Sequence, residues 1–128
     1  MKHILILITM AAALAGGLSA ADRWTLVGHS SRNGYFLDYQ SINYHGTSPH
    51  DYATFWEKVV ESDGKFSVIH MEYDHAARCF RVLSGTDYTA DGSTLGTGSP
   101  PLEWVEIPPD SFGEAIFDIV FPPRKEAK

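Results

Sequence analysis

Three side chains of types that bind metal ions alternate along one stretch of the chain, namely His70, Glu72 and Asp74. Residues two apart in a β-strand project from the same face, so these three would point one way, with His75 close behind. One imidazole and two carboxylates could ligate a transition metal. The alternative is a solvated polar strand face, and we favour it because the set lacks a clear fourth ligand. We therefore predict no metal and no cofactor.

Covalent catalysis has little support in the residue pattern. Cys79 is the only cysteine, and it falls in a predicted strand beside Phe80 without a glycine-rich elbow. No serine lies in a Gly-x-Ser-x-Gly motif, and the glycines of residues 85–98 do not lead into a phosphate-binding helix. We predict a non-enzymatic protein. A single cysteine forms no internal disulfide; burial as a small apolar side chain is favoured over an intermolecular bridge or a reactive thiol.

Aromatic residues are dense in the first half of the chain, where tyrosine and tryptophan could form a binding surface. Aromatic side chains also fill small cores, and for Trp24, Trp56 and Trp104 we favour the core. Residues 44–50 contain Gly, Thr, Ser and Pro and are predicted to form an exposed loop. The candidate binding residues in and beside that loop are Tyr44, His45, His50 and Tyr52.

The start of the chain has the pattern of a secretory signal peptide. Lys2 precedes an apolar run over residues 4–14, and the small residues Ser19, Ala20 and Ala21 predict cleavage after Ala20 or Ala21. We expect a signal peptide over residues 1–21 and one domain over residues 22–128. No cysteine stands at the cleavage site, so a lipid anchor is not expected. The formal net charge of −6 disfavours nucleic acid and anionic membranes as partners.

The pattern behind these residues predicts an α+β fold. Short β-rich segments are separated by turn signals, which favours an antiparallel sheet. The predicted strands are residues 23–28, 35–39, 52–60, 66–73, 78–83 and 104–107, and residues 84–98 are rich in turn signals. A helix over residues 111–121 should close the chain, because Ser111 and Glu114 have capping-box spacing. Its apolar stripe is predicted to be Phe112, Ala115, Ile116, Ile119 and Val120.

With this order laid out, the chain resembles the surface-adhesin protein E-like family of small exported bacterial proteins. The resemblance rests on Trp24-x-x-Val27-Gly28, Tyr35-x-x-Asp38-x-x-Ser41-Ile42, Trp56, Asp74 before Cys79, Arg81-Val82-Leu83 with Tyr88, Trp104-x-x-Ile107-Pro108 and Ser111-x-Gly113-Glu114. It implies a single antiparallel sheet of about six strands with the C-terminal helix on its concave face. It also implies structural roles for Trp24, Asp38, Cys79, Trp104, Ser111, Glu114 and Phe121.

One position departs from the family pattern. Relatives typically pair a strand cysteine, at the place of Cys79, with a cysteine that ends the helix, and here Phe121 takes the second place. The resemblance therefore implies that an aromatic side chain replaces a covalent tether, and that Phe121 lies close to Cys79.

Two functions follow as expectations. The first is an exported binding protein, periplasmic, secreted or at the cell surface, whose partner class by resemblance is host extracellular-matrix or serum protein. The alternative is a periplasmic or envelope accessory module, such as an inhibitor of an exported enzyme. The sequence leaves homodimer formation open.

Overall fold

The computed structural model describes residues 23–47, 50–98 and 102–123. The predicted signal peptide lies outside the described residues and stays an expectation. The strands are β1 (Thr25–His29), β2 (Asn33–Leu37), β3 (Asn43–His45), β4 (Tyr52–Glu61), β5 (Phe66–Asp74), β6 (Cys79–Tyr88), β7 (Thr94–Gly98) and β8 (Val105–Glu106). A 3-10 turn spans Tyr39–Ser41, and the helix α1 spans Phe112–Val120.

All strands join one antiparallel sheet in the order β1-β2-β4-β5-β6-β7. The three long strands β4, β5 and β6 form its centre. Each outer neighbour of this centre is divided into two pieces: β2 and β3 both pair with β4, and β7 and β8 both pair with β6. The predicted α+β class is therefore confirmed.

The predicted number of strands, about six, is wrong, because the described residues form eight. β3 lies at the start of the predicted loop 44–50, and β7 lies in the segment predicted to be turn-rich. Every residue of both strands is exposed. A strand without a buried face carries no hydrophobic alternation, so the usual period-two signal is missing. β6 also continues through Ser84 and Gly85, where turn residues concealed it.

The helix begins where the capping box predicted. Ser111 is the N-cap, and its Oγ accepts a hydrogen bond from the backbone N–H of Glu114 at 3.2 Å. The Glu114 carboxylate accepts from the N–H of Asp110 at 3.0 Å and pairs with Arg78 at 3.2 Å. The Ser111 bond satisfies one of the donors that the first turn of a helix leaves without intrahelical partners, and the other two contacts fix the Glu114 side chain. The structural roles predicted for Ser111 and Glu114 follow from this geometry.

The buried face of α1 differs from the predicted stripe. Ile116, Phe117 and Val120 are buried, whereas Ala115 is exposed. The predicted and observed stripes share Ile116 and Val120 and differ in which flank meets the sheet. Phenylalanine removes much more apolar area from water than alanine does, so the flank that carries Phe117 faces the core. Its ring contacts Tyr73 and Phe121.

Three contacts set the path of α1 across the sheet. Phe112 stacks on Tyr35 of β2 with centroids 4.1 Å apart, above Gly28 of β1. A Cβ at Gly28 would lie 2.4 Å from the Phe112 ring, so only glycine allows this approach. At the other end, the hydroxyl of Tyr44 on β3 donates to the carbonyl of Val120. The helix therefore spans the sheet from β1 to β3.

Candidate binding surface

The sheet face opposite α1, called the helix-free face, carries a group of contacting aromatic and charged side chains. Strand alternation places Ala53, Phe55 and Glu57 of β4 towards the helix, and Tyr52 and Trp56 away from it. The helix-free residues considered below are Trp24, His45, Tyr52, Trp56, Lys58, Phe66, His70, Glu72, Arg81, Tyr88 and Trp104. We call this set the aromatic–cation strip.

One end of the strip is organised by a buried carboxylate. Glu72 is only 6% exposed, and one of its oxygens accepts a hydrogen bond from Arg81 Nε at 2.8 Å. The other oxygen lies 3.0 Å from His45 Nε2. The Arg81 guanidinium sits 4.6 Å from the Trp104 ring, and His45 stacks on Tyr52 at 5.4 Å. A buried charge needs such partners, and here they hold the flat groups in place.

The middle of the strip is a stacked pair. The rings of Trp56 and His70 are 4.5 Å apart and 10° from parallel. Partial burial lowers the pKa of His70, and the nearby Glu72 carboxylate opposes this shift. A lowered pKa favours the neutral imidazole, which stacks on the indole without the cost of desolvating a charge.

At the other end a cation lies between two aromatic rings. Lys58 Nζ is 4.7 Å from the Phe66 centroid and 5.8 Å from that of Trp24. Phe66 in turn stacks on Tyr88 at 4.7 Å. Burial lowers the pKa of Lys58. Cation–π contacts of this kind are worth about 0.5–1 kcal/mol each at exposed sites.

A cleft of about 250 Å³ opens beside this end. Trp24, Trp56 and Tyr88 line it together with Val68 and Thr86, and Arg23 stands at the same opening. The cleft is small, so it suits one side chain of a partner better than a whole small-molecule ligand, because ligand pockets commonly exceed about 300 Å³.

Hydrogen bonds around the 3-10 turn position Trp56 and Trp24. Asp38 caps the 3-10 turn by accepting from Gln40 N–H at 3.2 Å, and its other oxygen accepts from Arg23 Nε at 2.8 Å. Ser41 Oγ donates to the carbonyl of Asp38 at 2.7 Å and accepts from the N–H of Trp56 at 2.9 Å. The Asp-x-x-Ser element therefore ties β4 to the turn after β2, which accounts for the structural role predicted for Asp38.

The four predicted binding residues divide between the two faces. His45 and Tyr52 belong to the aromatic–cation strip. Tyr44 lies on the helix side with its hydroxyl bonded to the end of α1, and burial raises its pKa. His50 contacts the Tyr44 ring at 4.2 Å. Since neighbouring strand residues point to opposite faces, Tyr44 and His45 cannot contact one partner surface together.

The three candidate metal ligands are each engaged separately. His70 stacks on Trp56, Glu72 pairs with Arg81 and His45, and Asp74 accepts a hydrogen bond from Ala77 N–H at 3.0 Å. Within residues 23–47, 50–98 and 102–123 no group of three or more His, Cys, Asp or Glu side chains is arranged to hold a metal ion.

The core assignment of the three tryptophans is wrong. Trp104 is 39% exposed, and Trp24 and Trp56 are half-buried on the helix-free face. An indole is large and carries a polar N–H, so it is often only partly buried. Arg81 was not among the predicted site residues. It lies opposite Glu72 in the register of β5 and β6, and the two side chains form an ion pair.

Cys79 and Phe121 lie in different surroundings. Cys79 is half-buried rather than buried, and its Sγ donates to the carbonyl of Ala77 at 3.4 Å. Phe121 is buried and stacks on His75 with centroids 4.3 Å apart. Alternation along β6 places Cys79 on the face opposite Phe80, whose ring contacts the core residue Tyr73. The ring stack of Phe121 is therefore with His75, and its structural role and its closeness to Cys79 stay predictions.

These features define a single-sheet α+β domain with a helix on one face and an exposed aromatic and charged surface on the other. The profile of the family described as Surface-adhesin protein E matches residues 24–120, and the chain belongs to this family. No match was found among curated proteins or among solved structures. Membership supports an adhesin-like protein of the surface or exported class. Among the described residues no helix is long and apolar enough to cross a membrane.

Proposed function

We propose that this protein is an exported adhesin-like binding protein that uses its helix-free face to bind a host extracellular-matrix or serum protein. The observation that carries the proposal is the aromatic–cation strip. Tyr, Trp and Arg are the side chains enriched at protein interface hot spots. Here they share one sheet face, and ion pairs and stacking hold their orientation.

Preorganisation is the physical reason to prefer this face. Arg81 is fixed by the Glu72 carboxylate at 2.8 Å, and Trp104 lies against the same guanidinium. Side chains held in one orientation lose less conformational entropy when a partner binds, which leaves more of the contact energy as affinity. The hydrogen bonds between Ser41, Asp38 and Trp56 extend the same rigidity to the middle of the strip.

A direct binding measurement tests the proposal. The mature domain is titrated against a panel of immobilised extracellular-matrix glycoproteins and serum proteins, with ovalbumin as the control protein. Trp104→Ala should weaken binding by about tenfold or more, the loss expected of an exposed hot-spot residue. Tyr39→Ala is the matched control, because Tyr39 is 45% exposed but lies in the 3-10 turn. Equal losses in both variants would contradict the use of the helix-free face.

Location separates this proposal from its alternative. Fractionation of the source cells should place the protein at the surface or in the medium, and the mass of the exported chain should show loss of the first 20 or 21 residues. A strictly periplasmic protein would instead favour the accessory module. An intact Met1 in the exported protein would contradict the predicted signal peptide.

A further inference from the structure

A second surface lies on the helix side of the sheet, beyond the part that α1 contacts. The helix contacts β1, β2, β3 and β5 through Gly28, Tyr35, Tyr44 and Tyr73, and a groove of about 570 Å³ lies over β6, β7 and the part of β5 around Ile69. Ile69 and Val82 form apolar parts of the groove. The groove reaches the outer edge strand β7, so it opens directly at the border of the sheet.

Neither packing nor backbone conformation requires glycine at the two glycine positions of β7. A Cβ added at Gly96 or Gly98 would meet no atom within 4 Å, and neither residue has a positive φ. Glycine weakens a strand interior, and where packing does not require it, it often marks a place where another backbone or ligand approaches closely. Both residues line the groove. They are two positions apart, so both face the helix side together with Gly85, the register partner of Gly98.

The outer edge of β7 is only partly protected. Among the described residues β7 pairs only with β6, and its sequence Thr-Leu-Gly-Thr-Gly contains neither a charge nor a proline. Soluble proteins usually block an edge strand with lysine, proline, a bulge or a covering element, because free N–H and C=O groups attract another strand. The extra residue of this pair is Leu95, so the bulge lies near the start of β7, and residues 96–98 beyond it pair regularly with β6.

We propose that β7 and its groove bind an extended segment of a partner protein, with alternating basic and apolar residues, as an added strand. Main-chain hydrogen bonds to β7 would supply affinity, and alternate side chains would enter the groove. Acidic residues around the groove favour a basic partner segment. Asp87 lines the groove, Asp91 lies in the turn before β7, and Glu103 follows the groove residue Leu102. A second copy of this acidic chain would oppose like charges here, whereas a basic segment complements them.

Titration of the isotope-labelled mature domain with a short peptide of alternating lysine and valine tests the proposal by NMR. The amides of Thr94–Gly98 should shift on binding. Gly96→Val should weaken binding by about tenfold, because its side chain fills the approach while the fold offers it open space. Thr86→Val in the neighbouring strand β6 is the control on the helix-free face, where Thr86 Oγ1 lies 3.2 Å from Thr97 Oγ1, and it should keep the affinity.

Two further measurements keep the test decisive if Gly96→Val lowers the melting temperature. Asp87→Asn should weaken binding and reduce its salt dependence, and a peptide with alternate N-methylated amides should not bind. The proposal is overturned if millimolar peptide shifts no β7 amide, or if a glutamate–valine peptide binds equally well. It is also overturned if Gly96→Val abolishes a concentration-dependent dimer instead, since a second copy would then occupy the edge. These outcomes are independent of the matrix-binding test, which concerns the helix-free face.

Discussion

A buried carboxyl on the helix side should make the stability of this protein fall as the pH rises. Glu57 lies in the middle of β4 on the same face as Phe55 and is 8% exposed. Burial raises the pKa of Glu57 from 4.5 to about 7. Tyr73 of β5 is coupled to it, and the pKa of Tyr73 is raised by burial and by the Glu57 charge. The folded protein therefore favours the protonated acid.

The sign of the effect follows from linkage. Between pH 4.5 and about 7, Glu57 is ionised in the unfolded chain and protonated in the folded one, so unfolding releases a proton and stability decreases with pH. The stabilising contribution is complete below the unfolded pKa and is lost as the pH rises through the folded pKa. A difference of about 2.5 pKa units corresponds to about 3 kcal/mol.

Urea unfolding of the wild type and of Glu57→Gln from about pH 4 to about pH 9 measures this contribution. Glutamine keeps the shape without a titratable group, so the histidines, which titrate in the same range, cancel in the difference. The wild type should lose about 3 kcal/mol relative to Glu57→Gln across the window. Glu61→Gln, at the exposed end of β4, gives the baseline for removing one carboxylate. A difference between wild type and Glu57→Gln that stays constant with pH would refute the reasoning.

Three further expectations concern the helix and the metal question. Phe117→Ala should cost about 3–5 kcal/mol in urea unfolding, because it removes a buried aromatic ring, while Asp118→Ala, exposed beside it, should change stability by less than about 0.5 kcal/mol; similar losses would mean that α1 does not pack through Phe117. Ser111→Ala should cost about 1 kcal/mol by removing the cap, and an unchanged unfolding midpoint would contradict that role. Thermal melts with and without a chelator should coincide; a large drop on chelation would show that folding needs a metal.

The elements that could be predicted are those whose signals are local. The capping box at Ser111 and Glu114 gave the helix start, since its hydrogen bonds join residues three apart. The central strands were found because their β-rich segments are bounded by turn signals. β3 and β7 were missed because every residue in them is exposed, and only pairing with β4 and β6 makes them strands. Such pairing depends on residues distant in the chain.

The helix-free face was harder to predict because its residues also resemble a core or a metal site. Trp24 and Trp104 were assigned to the core on apolar area alone, but they lie on the helix-free face beside Lys58 and Arg81. The alternation that suggested a metal site at His70 and Glu72 was a correct reading of which residues share a face. That reading was incomplete because Glu72 pairs with His45 of β3 and Arg81 of β6, which lie on two other strands.

The contrast between Tyr44 and His45 shows how one short strand serves two purposes. Tyr44 bonds to the carbonyl of Val120 and thereby holds the end of α1, whereas His45 lies 3.0 Å from the Glu72 carboxylate on the other face. A substitution at Tyr44 should affect the helix side, and a substitution at His45 should affect the exposed face. Either one would affect both sides only if it changed the backbone of β3. The helix and the helix-free face can therefore vary separately in sequence, which lets a stable scaffold carry different exposed surfaces.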